Sequence, residues 1–516
     1  MLIKNIIKEN TYLDSIMLMA IGNQLKQLTK AQEASLIMGT EANKEILKNI
    51  GLLTAEGLKA GPGDLVIALK IENEMALQRA LASAEQLITQ RSDKPKGAGA
   101  EVPKSLQGAF DALPSSGLVF ISVPGQYAAD VAMEALENGR HVMIFSDNVP
   151  LEEEIRLKKR ARELDLLVMG PDCGTAIVNG VALGFANVVR RGPFGIVGAS
   201  GTGIQEVSTL VHKRGYGVSH AIGLGGRDLS QKVMGISMLQ GIRALEEDPL
   251  TQIVILISKP PAPEVANLVL DTLKGLKKKY VVNFLKGDPA EAKKRNLPFA
   301  AALEEAVDLA VAIHEGRQHK AKSFSGDERQ LAMKAAEERK RIGRGKHLRG
   351  LFSGGTLADE ALVILSSQIG DIHSNIPLRE ELRLANSWQS AGHTIVDLGE
   401  DEFTRGRPHP MIDFSLRCDR LLKEAEDPKC GVILLDVVLG YGAHPDPAGE
   451  LVAAIRQARE KAAAGGRHVS FVASITGTNE DPQRADAQQA ALEAIGVQVL
   501  PSNAQAARYV GLILAS

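Results

Sequence analysis

Aromatic residues are scarce in this 516-residue chain, 4% in all with one tryptophan, while glycine is plentiful. That balance suits α/β sheets packed with Val, Ile, Leu and Ala better than β-sandwiches. Cysteine is rarer still. Cys173, Cys418 and Cys430 have no C-x-x-C spacing, which argues against a disulfide framework or a zinc site and for a reducing compartment. No metal-ligand cluster stands out. No apolar run reaches the ~20 residues that cross a bilayer, and no charged, apolar, small-residue leader opens the chain. A cytoplasmic protein is therefore expected, with no membrane partner. The formal charge of −2 offers nothing that globally attracts nucleic acid. What remains, 44% hydrophobic and 24% charged residues, is an ordinary globular chain long enough for three or four domains.

Its organisation follows the alternation of apolar runs and helical periodicity. Residues 1–108 form an N-terminal α/β region, with strands at 34–38 and 64–69 and a polar Gly/Pro linker over 91–108. Residues 109–192 read as βαβ units with strands at 118–123, 141–145 and 166–169. Residues 193–316 form the next unit, with strands near 194–198, 218–222, 253–257 and 280–285. A charged helical linker over 317–347 leads to a last α/β unit, 348–516. Strands alternating with helices predict parallel sheets with ligands at the strand C-termini.

Two of these units share landmarks in the same order. Gly195-Ile-Val-Gly-Ala-Ser-Gly-Thr-Gly203 matches Gly350-Leu-Phe-Ser-Gly-Gly-Thr356. Gly223-Leu-Gly-Gly-Arg-Asp228 matches Asp397-Leu-Gly-Glu-Asp401, and Ile253–Pro261 matches Val432–Gly440. A diverged duplication explains the shared order better than chance likeness of two sheets. Each glycine loop reads as a strand, a turn and a helix start, which aims backbone N–H groups and a positive helix end at an anion. Ser200, Gly201, Thr202 and Gly203, with Ser353, Gly354, Gly355 and Thr356, are the candidate phosphate-binding residues. Gly174, Thr175, Gly225, Gly226 and Arg227 are candidates to line the same crevice. The competing reading of each loop is a tight strand-to-helix connection and nothing more. Neither a Walker loop nor a dinucleotide fingerprint is present.

The segment Arg405-Gly-Arg-Pro-His-Pro-Met-Ile-Asp413 is a rigid polar loop. Arg405 and Arg407 suit a carboxylate or phosphate, or equally cap carbonyls at the surface. His409 is the proton-transfer candidate. His444, Ser474–Thr478 and Cys173 are weaker candidates, better explained as loop or buried structural residues.

Gly170-Pro-Asp-Cys-Gly-Thr175, Gly198-Ala-Ser-Gly-Thr-Gly203 and Gly223-Leu-Gly-Gly-Arg-Asp228 resemble, in that order, the G-P-N-C, S-x-S-G-T and G-I-G-G-D segments of the succinyl-CoA synthetase α-subunit. The last unit is similar to the ligase domain of the β-subunit. With Ser146-Asp-Asn-Val149 and Gly406–Asp413 included, the whole chain resembles the FdrA proteins. The resemblance implies a Rossmann-like CoA-binding-type domain over 109–192 and two flavodoxin-like ligase-type domains, 193–316 and 348–516.

It further implies a subunit of a carbamoyltransferase complex in allantoin or purine catabolism. There oxalurate and phosphate exchange with oxamate and carbamoyl phosphate, and other subunits are partners. In the synthetase two opposed helix N-termini hold the phosphate of a phosphohistidine. The matching region here, Lys286–Ala301, has no histidine, and neither the CoA loop nor an ATP-grasp domain has a counterpart. The expectation is therefore an acyl phosphate or phosphate, with a carboxylate substrate, held without phosphohistidine. No cofactor is required, and CoA stays open as a ligand. The alternatives are an acyl-CoA ligase component whose histidine and nucleotide sites lie on another chain, and a non-catalytic scaffold.

Overall fold

The computed structural model describes residues 2–9, 11, 13, 15–29, 33–92, 103–404 and 408–515. It divides into two compact units, residues 1–112 with 401–408, and residues 113–400 with 409–516. In the first unit the strands Leu2–Lys8, Leu65–Ile71 and Glu33–Met38 form a three-stranded antiparallel sheet with Leu65–Ile71 in the middle. That central strand is buried on both faces. Leu65, Ile67 and Leu69 pack with Leu18, Ile21 and Leu25, while Val66 and Ala68 meet Leu47 and Leu52 on the other side. The sequence predicts two of these strands and omits Leu2–Lys8, whose polar Lys4 and Asn5 interrupt the apolar run. The polar linker expected over 91–108 lies largely outside the described residues.

The second unit holds three sheets. Strands Leu118–Ile121, His141–Ile144 and Val168–Met169 are parallel. The two larger sheets share a topology. In one, Phe194–Ala199 lies between Val218–Gly223 and Ile253–Ser258, with Lys279–Phe284 beyond. In the other, His347–Phe352 lies between His393–Asp397 and Cys430–Val438, with Ser470–Thr476 beyond. The four strands they share run 2-1-3-4, all parallel, the flavodoxin-like order, whose switch point lies between strands 1 and 3, and the second sheet adds Ile372–Ser374 and Gln498–Leu500 at its edges. The three sequence landmarks that align fall at equivalent strands. One difference from the sequence reading lies at the edge. Thr175–Val178 and Val181–Gly184 form an antiparallel hairpin that joins Val218–Gly223, so residues 175–184 belong with the first large sheet and not with the preceding βαβ unit.

Each glycine loop opens a helix, Gly201–Lys213 and Gly355–Ile369. Both are buried over most of their surface and contribute to one continuous apolar core. The sixth residue of each is a buried glutamate, Glu206 and Glu360. They act reciprocally. Glu206 Oε1 accepts the backbone N–H of Asn503 (3.1 Å), the first residue of the last helix of the second repeat, Asn503–Leu514. Glu360 Oε1 accepts the N–H of Leu303 (2.7 Å), which opens the last helix of the first repeat, Leu303–His314. Asn503 Nδ2 also donates to Glu360 Oε2 at 2.8 Å. Each repeat thus caps a helix of the other, using orphan amides that a buried helix start must satisfy.

Burial raises the carboxyl of Glu360 from its usual 4.5 to about 7. The folded chain therefore keeps a proton that the unfolded chain gives up between these values. This contribution favours the fold most at and below about 4.5 and is lost as pH rises through 7. Glu360→Ala is expected to destabilise by about 1–3 kcal/mol, the cost of orphaned buried donors, and to flatten the fall in stability between pH 5 and pH 7.5. Urea unfolding of both proteins at the two pH values checks this. An identical pH dependence in both would refute it.

Candidate functional site

The two glycine loops meet. Ser200 Oγ and Thr356 Oγ1 are 2.6 Å apart, and Ser200 Oγ also caps its own helix by accepting Gly203 N–H at 2.9 Å. The approach needs a residue without a side chain opposite: a Cβ on Gly354 would lie 2.9 Å from the Thr202 side chain. Thr175 Oγ1, which donates to the Phe185 carbonyl, stands 3.4 Å from where a Cβ on Gly201 would be. Hydroxyls of Ser200, Thr202, Thr356 and Thr175 therefore gather at the start of the first helix. The amides of Gly201, Thr202, Gly355 and Thr356 are first-turn groups with no intrahelical acceptor.

The two helix starts differ in charge. Asp436, buried within the strand Cys430–Val438, places its carboxylate in the second loop. It accepts Ser353 N–H (2.9 Å), Ser353 Oγ–H (2.9 Å) and Gly354 N–H (2.8 Å). Arg417, equally buried, balances it through Nη2 at 2.6 Å. The first repeat has Ile257 at the matching step: Val197 pairs with Leu256 as Leu351 pairs with Leu435, and Ile257 and Asp436 each lie one step beyond. Among the described residues no carboxylate bonds to Ser200, Gly201 or Thr202. Asp397 adds a second acid at the second helix. Its carboxylate abuts Gly355, Oδ1 accepts Gly399 N–H at 2.9 Å, and burial raises its carboxyl to about 7 despite Lys259 nearby. Asp359, in the same helix, bonds Lys286 Nζ at 3.1 Å.

His409 is placed beside this group, its Nε2 2.8 Å from where a Cβ on Gly399 would lie and its ring 6.0 Å from that of Phe185. Burial lowers it to about 4, so the imidazole is neutral near pH 7. Nδ1 accepts Met411 N–H at 3.2 Å, which leaves Nε2–H to donate. Arg405 and Arg407 lie outside the described residues. Of the other expected lining residues, Gly174 precedes Thr175 and receives the Phe185 N–H on its carbonyl. Gly225 and Gly226 belong to a turn with a different task. Arg227 pairs with Glu154 (2.9 Å) and donates to the Val149 carbonyl, and Asp228 binds the buried Lys158 (2.8 Å), which also holds Glu154. This turn welds the helix Leu151–Glu163 to the first large sheet. His444 accepts Asp446 N–H and leans on Phe414, and Cys173 is buried with its thiol pushed up to about 12.

Sequence reasoning missed Asp436, Asp397, Asp359, Lys259 and Lys286. Asp436 carried a signal: it is the one charge inside the apolar run Val432–Val438, and a buried charge requires a partner.

Residues 351–513 match a model for CoA-ligase, residues 190–287 a CoA binding domain, and residues 1–104 "AllF, heavy metal-associated domain". The CoA-binding match thus covers the first large sheet, whereas the sequence reading put that domain at 109–192. The metal in the last description does not fit this chain. Residues 1–104 contain neither Cys nor His, the donors that soft heavy metals select, and no metal-binding cluster occurs among the described residues.

Succinate–CoA ligase [ADP-forming] subunit alpha 2 of Archaeoglobus fulgidus is 30% identical over 27% of this chain and 48% of its own length. Malate–CoA ligase subunit alpha of Methylorubrum extorquens is 29% identical over 30% and 52%. The chain thus spans about half the length of these ligase subunits. An acetyl-coenzyme A synthetase from Ca. Korarchaeum cryptofilum superposes with a TM-score of 0.28 at 16% identity, over 78% of this chain and 84% of that one, too loosely to argue from. Over its whole length the chain is similar to Uncharacterized protein YahF of Escherichia coli (strain K12), 43% identical over 98% of this chain and 97% of that one. No helix among the described residues is long and apolar enough to cross a membrane. With YahF, the chain belongs to a succinyl-CoA-synthetase-like family built on CoA-binding and CoA-ligase domains.

Proposed function

We propose that the chain is the FdrA-type subunit of a carbamoyltransferase, binding carbamoyl phosphate, or phosphate in the reverse direction, at the start of the helix Gly201–Lys213. The observation that carries this reading is the inequality of the two loops. The second is filled by Asp436, whereas the first presents amides and hydroxyls with no carboxylate bonded to them. An incoming phosphoryl group finds donors there at no cost of displacing an internal anion. The FdrA-like motifs and the AllF-named model over residues 1–104 support a place in allantoin or purine catabolism.

In the transfer, the amide nitrogen of an oxamate-like acceptor bonds to the carbonyl carbon of carbamoyl phosphate. The carbon–oxygen bond to phosphate breaks, and the nitrogen's proton leaves with the phosphate. Fixed N–H donors stabilise charge on the departing oxygen. Arg405 and Arg407 hold the acceptor's carboxylate. His409 serves through Nε2–H as a neutral donor to a substrate oxygen. No phosphohistidine takes part, in keeping with its absence from Lys286–Ala301.

The ligase names of the relatives favour a second reading, an acyl-CoA ligase component completed by another chain. Thermal unfolding with phosphate, carbamoyl phosphate or CoA separates the two, because a ligand of the native state raises Tm by mass action. Carbamoyl phosphate and phosphate are expected to stabilise. Stabilisation by CoA alone would favour the ligase.

Ser200→Asp puts a negative charge at the first loop and is expected to abolish the phosphate-dependent rise in Tm. An undiminished rise would remove that loop from the site. Asp436→Ala strips Arg417 of its buried partner, which typically costs about 3–5 kcal/mol, and denaturant unfolding reads the loss. A change below about 1 kcal/mol would show that the pair does not hold the second loop.

A further inference from the structure

Lys259 directly follows the strand Ile253–Ser258, whose last residue pairs with Ala199 beside Ser200. Its backbone therefore leaves the sheet at the switch point of the first repeat, next to the open loop. Its side chain crosses to the second repeat, with Nζ 3.1 Å from where a Cβ on Gly355 would lie. The lysine thus stands where the two helix starts converge. The ammonium is held there only by one long ion pair. Its side chain is 38% exposed, its nearest acid, Asp359 Oδ2, is 3.8 Å away, and it makes no hydrogen bond among the described residues. Asp359 makes its shorter contact with Lys286, at 3.1 Å. The ammonium is left with donors to offer.

We infer that Lys259 is the cation that grips the phosphoryl group of an acyl phosphate at this junction, an inference that rests on the phosphate reading above. A compact ammonium with three donors suits a phosphate dianion, while the neighbouring amides and hydroxyls fix its orientation. The surrounding charges are compatible with this role. Burial alone would discharge the lysine, but Asp397, Asp359, Glu400 and Asp172 keep it protonated. Asp397, held near 7, sheds its own charge by taking up a proton as a dianion approaches. The second repeat has Val438, two steps after Asp436, where the first has Lys259. The cation is therefore peculiar to the loop that lacks an internal carboxylate.

The test measures binding of inorganic phosphate and of carbamoyl phosphate to the full chain, with Lys259→Gln, Lys259→Arg and Lys232→Gln as variants. Lys259→Gln is expected to weaken both ligands about tenfold or more, the usual loss for a charge-assisted bond. Lys259→Arg, which keeps the charge, is expected to bind more tightly than Lys259→Gln, and Lys232→Gln, at an exposed site elsewhere, to stay within about threefold of the parent. Parent-like binding by Lys259→Gln overturns the inference and leaves the phosphate reading standing. Failure of the parent chain to bind either ligand overturns both. Should Lys259→Gln not fold, footprinting of the unmutated protein with an amine-acetylating reagent decides. Phosphate is expected to protect Lys259 and not the exposed Lys232, and equal modification of Lys259 with and without phosphate counts against the proposal.

Discussion

The large α/β unit is governed by how the positive ends of its buried helices are satisfied. A helix start inside a protein leaves amides that must meet an acceptor, and here four such starts meet at the junction of two related sheets. The last helix of each repeat is answered by a glutamate from the other, Glu206 for Asn503 and Glu360 for Leu303. The second glycine loop is answered by Asp436, which Arg417 neutralises. Two of the four ends are thus closed by glutamates of the chain itself, and at a third Asp436 occupies the loop that leads into the helix. The fourth, at Gly201 and Thr202, has hydroxyls around it and, among the described residues, no bonded carboxylate.

The same accounting links stability to chemistry. The reciprocal glutamates tie the repeats so that neither glycine-loop helix moves alone, and they fix the separation across which Ser200 and Thr356 touch. Asp436 turns what would be a symmetric pair of anion cradles into one filled and one open. Lys259, set beside the open loop, adds a positive charge there, with Asp359 3.8 Å away. A covalent phosphate carrier is not needed for such a site, because an acyl phosphate brings its own phosphoryl group. The relatives that bear ligase names are matched over only about half their length, so their activities are not carried over to this chain.

Much of this was legible in the sequence. The strand-to-helix steps at Ser200 and Ser353, the three aligned landmarks and the parallel order all follow from apolar periodicity and turn residues, which act locally. The asymmetry was not legible. Asp436 lies 83 residues from Ser353, and the sequence says only that a charge interrupts an apolar strand, not which amides it will meet. Lys259 reads as the polar end of a strand until the second helix is brought against it. Arg227 read as a pocket residue because its Gly-Gly-Arg-Asp turn looks like a ligand loop, yet Glu154 and the Val149 carbonyl engage it. The hairpin 175–184 joined the next sheet because antiparallel pairing with Val218–Gly223 is decided by sheet edges, which periodicity does not reveal.

The central claim is that this chain holds a phosphoryl group non-covalently and on one helix start only. Diffraction from crystals soaked with carbamoyl phosphate tests it most directly. The account predicts one phosphoryl group on the amides of Gly201 and Thr202, within hydrogen-bond distance of Lys259, with Asp436 still bonded to Ser353 and Gly354. A phosphoryl group in the second loop with Asp436 displaced, or one covalently bound to a histidine, would contradict it.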